Sequence, residues 1–172
     1  MNRIVQALCV VTAAAAICAA SGAKTYPLKW RETLVLQSPQ HGRIVMAVTR
    51  IVIAKGRWSV TGSIMNRTPY DVEIRLSDEQ YAPSSMGLAA VLHPNSDPNS
   101  RSMVDAVHAK KIKPALPKAL HPGDRWRGTF SGRKRLPAHR LVWVMFGIFH
   151  LEGQHAADLY WVTNHGVVTP RR

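Results

Sequence analysis

The chain predicts an all-β fold built as a two-sheet sandwich, and three observations carry that reading. Apolar residues recur at every second position, the period of a strand with one buried face. Turn residues punctuate these runs. Only one short segment has a helical pattern, so roughly seven to nine strands stand against almost no helix, which suits a sandwich rather than a bundle or an α/β unit.

In chain order, the first feature is not a strand. "MNR" supplies a positive charge, "IVQALCVVTAAAAICAA" an apolar run, and "SGA" the small residues Ser21 and Ala23 at the spacing that signal peptidase reads. Residues 1–23 are therefore expected to be a signal peptide, with a mature chain starting at Lys24. The alternative is a retained membrane anchor, since the run is about long enough to span. Neither Cys9 nor Cys18 follows the small residue that lipid attachment wants. Both cysteines lie in the leader, so the mature chain has no thiol and no disulfide. Its roughly 149 residues must hold together by core packing, which is enough for one domain over 24–172. The expected location is secreted or periplasmic, in the cell envelope, with no transmembrane span after signal removal.

The strands follow. In "LKWRETLVL" the residues Leu28, Trp30, Leu34 and Leu36 share a face, and "RIVMAVTRIVIA" is apolar on both faces, as a central strand is. "GRWSVTGSIMN" alternates Trp58, Val60 and Ile64 with Arg57, Ser59, Thr61 and Ser63. "YDVEIRL" alternates Tyr70, Val72, Ile74 and Leu76 with Asp71, Glu73 and Arg75; with Asn66 and Pro69 in the intervening "NRTP", these two runs predict a hairpin. From Ser77 to Gly123 the chain is rich in Pro, Ser, Asn and Lys and predicts a long basic, loop-rich insertion. Within it "GLAAVL" reads as a short strand and "SMVDAVHAKKI" as a short helix, capped by Ser102 and ending on Lys110 and Lys111. Pro122 and Gly123 turn the chain into "DRWRGTF", which points Trp126 and Phe130 inward and Arg125 and Arg127 outward. "RLVWVMFGIFHL" is apolar on both faces, and "DLYWVTN" closes the set. Trp58, Trp126, Trp143 and Phe130 are the expected core anchors.

The order W-x-V-x-G-x-I-x-N-x-T from Trp58 to Thr68, then L-x-P-G from Leu120 to Gly123 and G-x-F from Gly128 to Phe130, resembles the immunoglobulin-like domains of unknown function found in bacterial exported proteins and lipoproteins. The resemblance covers about half of the mature chain. It implies an immunoglobulin-like sandwich in which the Asn ends one strand and the Pro-Gly turn leads into a later one. It implies no activity, because such sandwiches host unrelated functions.

No nucleophile elbow, Gly-rich phosphate loop or HExxH helix is present. Asp71, Glu73, Asp78 and Glu79 form the one acidic cluster, and beside Arg75 they read as a solvated face rather than catalytic carboxylates. The expectation is not an enzyme, with no cofactor. His150, His155 and His165, with Met145 nearby, raise the alternative of a histidine-based metal-binding carrier; a further alternative is an accessory structural domain that binds a protein partner.

Charge is the strongest functional signal. The chain carries 23 Lys and Arg against 10 Asp and Glu, a formal net charge of +13. Eleven of the basic residues fall between Arg101 and Arg140, against Asp105 and Asp124. Such a field attracts polyanions by steering. The expected partner is an anionic envelope polymer or membrane surface, or an envelope protein; nucleic acid suits export least. Arg125, Arg127, Arg133, Lys134, Arg135 and Arg140, in and before the loop "SGRKRLPAHR", are the expected polyanion-binding residues. Exported protein is expected to begin at Lys24, and an intact mass that still includes Met1 to Ala23 would reject the cleavage.

Overall fold

The computed structural model describes residues 22–76, 85–91, 104–153 and 157–171. Among these the chain forms no helix and ten strands: β1 (Lys24–Val35), β2 (Arg43–Ala54), β3 (Arg57–Arg67), β4 (Val72–Arg75), β5 (Met86–Val91), β6 (Val104–His108), β7 (Lys111–Lys113), β8 (Arg125–Gly132), β9 (Leu141–Leu151) and β10 (Ala157–Val168). They make two antiparallel sheets, consistent with a β-sandwich. Sheet A has the order β1-β2-β3-β8-β7, and sheet B the order β10-β9-β5-β6, with β4 also on β9.

Alternation builds the core from both sides. Ile44, Ile51, Val60, Ile64 and Phe130 from sheet A meet Leu88, Val144, Phe146 and Phe149 from sheet B, all fully buried. An aromatic ladder crosses between the sheets: Trp58 packs edge-on against Phe130 at 6.4 Å between ring centroids, and Phe130 against Phe146 at 6.1 Å. Two glycines of β8 give the tryptophans room. A Cβ on Gly132 would stand 2.7 Å from the Trp58 ring, and one on Gly128 would run into the Trp126 ring, so any side chain there would displace an indole. Trp126 also donates from Nε1 to the Pro114 carbonyl at 3.3 Å. The four expected anchors are all buried, but Trp143 lies apart from the main core, in a second cluster with Ala89 and Met145.

The expected hairpin between "GRWSVTGSIMN" and "YDVEIRL" does not form. β4 leaves sheet A and pairs with β9, Val72 opposite Leu151 and Arg75 opposite Ile148. The cause is Asn66, fully buried at the end of β3. Its Nδ2 donates to the Tyr70 carbonyl at 2.7 Å and the Leu120 carbonyl at 2.8 Å, while its Oδ1 accepts from Thr68 N and Thr68 Oγ1 at 2.9 and 2.8 Å. Its backbone bonds Gly123 and Asp124. All side-chain capacity is spent on bending the chain out of the sheet, and the Leu120–Asp124 segment is anchored in the same act. The two motifs quoted above, N-x-T and L-x-P-G, are thus one hydrogen-bonded corner.

The middle of the chain also differs from expectation. The expected helix over "SMVDAVHAKKI" is replaced by β6 and β7, which lie in different sheets: Val107 pairs with Leu88, and Ile112 with Phe130. Spacing that could serve a helix is overridden by long-range pairing, which buries Val107 in the core. Ser102 lies outside the described residues. Nor is the middle an insertion, since β5, the expected short strand, continues the line of β4 along β9, pairing Met86 with Phe146 and Ala90 with Val142. Residues 77–84 and 92–103 lie outside the described residues.

Asn66→Asp keeps the size and the acceptor but sets an oxygen against two carbonyls. The expected cost is about 3 kcal/mol or more, read as a lower denaturant midpoint with the slope unchanged. A parent-like midpoint would remove Asn66 from this role.

Candidate functional site

Pairing in sheet A decides which side chains share its outer face, because directly opposed residues point the same way. One row runs Arg31–Ala47–Ser63–Arg127 from β1 to β8, and the next runs Arg50–Thr61–Thr129–Lys113 from β2 to β7. A third is Val52–Ser59–Ser131–Lys111, and further along Met65 opposes Arg125 and Arg43 opposes Arg67. Every one of these Lys and Arg residues is exposed. Hydroxyls occupy the centre: Thr61 and Thr129 meet at 3.1 Å, and Arg125 lies across the face to donate to Ser63 Oγ at 3.1 Å.

The sheet A strands contain a single acidic residue, Glu32, and it faces inward, 7% exposed. Trp161 Nε1 donates to its carboxylate at 2.6 Å, Asn164 N at 2.8 and 3.0 Å, and His165 Nδ1 lies at 3.1 Å. Glu32 therefore clasps β1 to β10 and adds nothing to the outer face. On sheet B, Glu73 pairs with Arg75 and Asp158 with Arg75 and His150. Positive charge on one sheet and carboxylates on the other is a segregation that no single stretch of sequence displays.

The expected binding residues join this face in part. Arg125 and Arg127 lie on it. Arg133, Lys134 and Arg135 are exposed in the segment after β8, whereas Arg140 is half-buried and closes the segment onto the chain's end. Arg140 N donates to Thr169 Oγ1 at 2.9 Å, Thr169 N to the Arg140 carbonyl at 2.8 Å, and Thr169 Oγ1 to the Pro137 carbonyl at 2.6 Å. Leu136 is buried in the core. The loop is thus a pinned strap, with its cations outward and one leucine inward. Sequence reasoning missed Arg31, Arg43, Arg50, Arg67, Lys111 and Lys113, because they reach one face only through the register of strands far apart in sequence. The alternation within each strand was the available signal.

The other candidate groups are held in pairs. Asp71 meets His121, and Glu73 meets Arg75, so these two carboxylates do not act together; Asp78, Glu79 and His155 lie outside the described residues. His150 Nδ1 is 2.6 Å from Asp158. Among the described residues no group of three or more His, Cys, Asp or Glu is placed to hold a metal ion. Among them, too, no helix is long and apolar enough to cross a membrane. Comparison with protein-family models, characterised proteins and solved structures returned no match.

His121 has its pKa raised above the usual value near 6.5. The hydrogen bond to Asp71 is the main cause, then the Asp71 charge, with Asp124 and Glu152 adding to it. A raised folded-state value means that the protonated ring favours the fold fully below about pH 6.5 and that this support is lost as pH climbs through the raised value. The melting temperature should therefore decline over that window in the parent and stay flatter in His121→Gln. In Asp71→Asn the NMR titration midpoint of His121 should fall back towards 6.5, and an unmoved midpoint would remove Asp71 as the cause.

Proposed function

We propose that this chain is a non-catalytic, immunoglobulin-like binding module of the cell envelope or secreted space, and that the outer face of sheet A, extended by the strap at 133–135, contacts an anionic polymer or membrane surface. The observation that carries this reading is the acid-free cationic face: the one carboxylate on its strands is turned inward. Arg43 and Arg67 add support. They oppose each other directly and make no ion pair among the described residues, a contact that costs stability and that a bound anion relieves. The corner made by Asn66 with Leu120–Gly123 supports the immunoglobulin-like assignment, since it joins two of the three motifs on which the resemblance stands.

The exported protein is expected to bind polyphosphate and anionic vesicles with an affinity that falls steeply with salt. Each cation removed from the face should lower the slope of log K against log salt by about one. Arg50→Ser with Lys113→Ser and Arg127→Ser should therefore weaken binding at low salt, as should Arg133→Ser with Lys134→Ser and Arg135→Ser, all at an unchanged melting temperature. Arg75→Ser, on sheet B, serves as the control. Equal slopes for parent and both triple variants would overturn the proposal.

A further inference from the structure

The cationic face ends in a cleft. Where β2 turns into β3 and β8 leaves the sheet, a cavity of about 580 Å3 opens between Arg57, Lys110, Lys111 and Arg133. Register brings these cations together: Ser131 pairs with both Ser59 and Lys111, and Lys110 N donates to the Ser131 carbonyl at 2.8 Å. No acidic residue lines the cleft, and its remaining wall is largely apolar, formed by Val52, Ala54 and Trp58. All four cations are exposed and make no ion pair among the described residues. Trp58 Nε1 is buried without a hydrogen-bond partner, the one such side-chain atom among the described residues. It stands 3.0 Å from where a Cβ on Gly132 would lie, beside a residue of the cleft wall. Unpaired buried donors are uncommon, and because Trp58 lines the cleft its indole N–H is placed to report on what enters there.

We propose that the cleft seats the phosphate head group of an anionic lipid, with the head group held by Arg57, Lys110, Lys111 and Arg133 and its first hydrocarbon carbons lying along Val52, Ala54 and Trp58. This rests on the reading of the adjoining face as polyanion-facing, and names the ligand class at its end. Cations alone fit any anion; the apolar wall beside them selects one that carries carbon.

The test is a titration of the 15N-labelled full chain with dihexanoyl phosphatidic acid below its micelle concentration, followed at the indole N–H signal of Trp58, which Trp58→Phe assigns. The signal is expected to move saturably. Affinity should be about tenfold tighter than for inorganic phosphate or for dihexanoyl phosphatidylcholine, and about tenfold weaker in Arg57→Ser or Lys111→Ser. Ser59→Trp, which fills the cleft from the outer face, should abolish the shift, and if that variant does not fold, Lys110→Ser should weaken binding about tenfold, as Arg57→Ser does. An unmoved Trp58 signal, or equal affinity for inorganic phosphate and the lipid, overturns the inference. The two readings separate cleanly. If polyphosphate binds with the expected salt slope while Trp58 stays unmoved, the cleft inference falls and the face stands. If the lipid titrates at Trp58 while polyphosphate ignores the face, the face falls and the cleft stands alone.

Discussion

One buried side chain sets the topology and, through it, the charge. Asn66 uses both of its polar atoms to bend the chain at the end of β3, sending β4 to the other sheet. Had β4 folded back beside β3, Asp71 and Glu73 would stand on or beside sheet A, and the edge of β3 would be taken. Instead β8 pairs with that edge, Arg127 opposite Ser63 and Arg125 opposite Met65. The same bend therefore removes carboxylates from the cationic face and supplies cations to it. A buried amide with every group satisfied specifies one arrangement, because any alternative leaves donors or acceptors unpaired away from water.

Glu32 does the complementary work at the open side. The outer strands β1 and β10 are not hydrogen-bonded to each other as a ladder, so their edges need another tie. The Glu32 carboxylate collects donors from Trp161, Asn164 and His165, and the Trp30 ring stacks on His165 with centroids 5.7 Å apart. A carboxylate in that position costs desolvation that its hydrogen bonds offset. On the opposite side the chain itself makes the tie, passing from β6 in sheet B to β7 in sheet A within a few residues.

Strands were legible in the sequence wherever one face is buried, because alternation is a local property. Trp58, Val60 and Ile64 on β3 and Trp126 and Phe130 on β8 lie inward as that pattern requires. Which sheet a strand joins was not legible. "YDVEIRL" alternates equally well beside β3 or beside β9, and the hydrogen bonds of Asn66, with the Val72–Leu120 bridge, hold it beside β9. "SMVDAVHAKKI" failed for a related reason, since its local pattern tolerates a helix and its partners lie at Leu88 and Phe130, remote in sequence. The candidate site was half legible. The run Arg133–Arg135 announces itself, whereas Arg31, Arg50 and Lys113 come from three separate strands and only pairing collects them.

Two rows of that collection keep their like charges apart. In the rows Arg31–Ala47–Ser63–Arg127 and Arg50–Thr61–Thr129–Lys113 the cations stand at the ends, with small or hydroxyl side chains between them. Three strand intervals separate the two charges of a row by about 14 Å, well beyond the screening length of about 8 Å at physiological ionic strength. Their mutual repulsion is therefore weak. An anion settling over the central hydroxyls lies about 7 Å from each end, inside the screening length, so attraction to both survives where repulsion between them does not. The central hydroxyls can also donate to it. In these two rows the spacing limits the repulsion between cations, and the opposite-charge cross-strand pairs of an ordinary solvated sheet are left out.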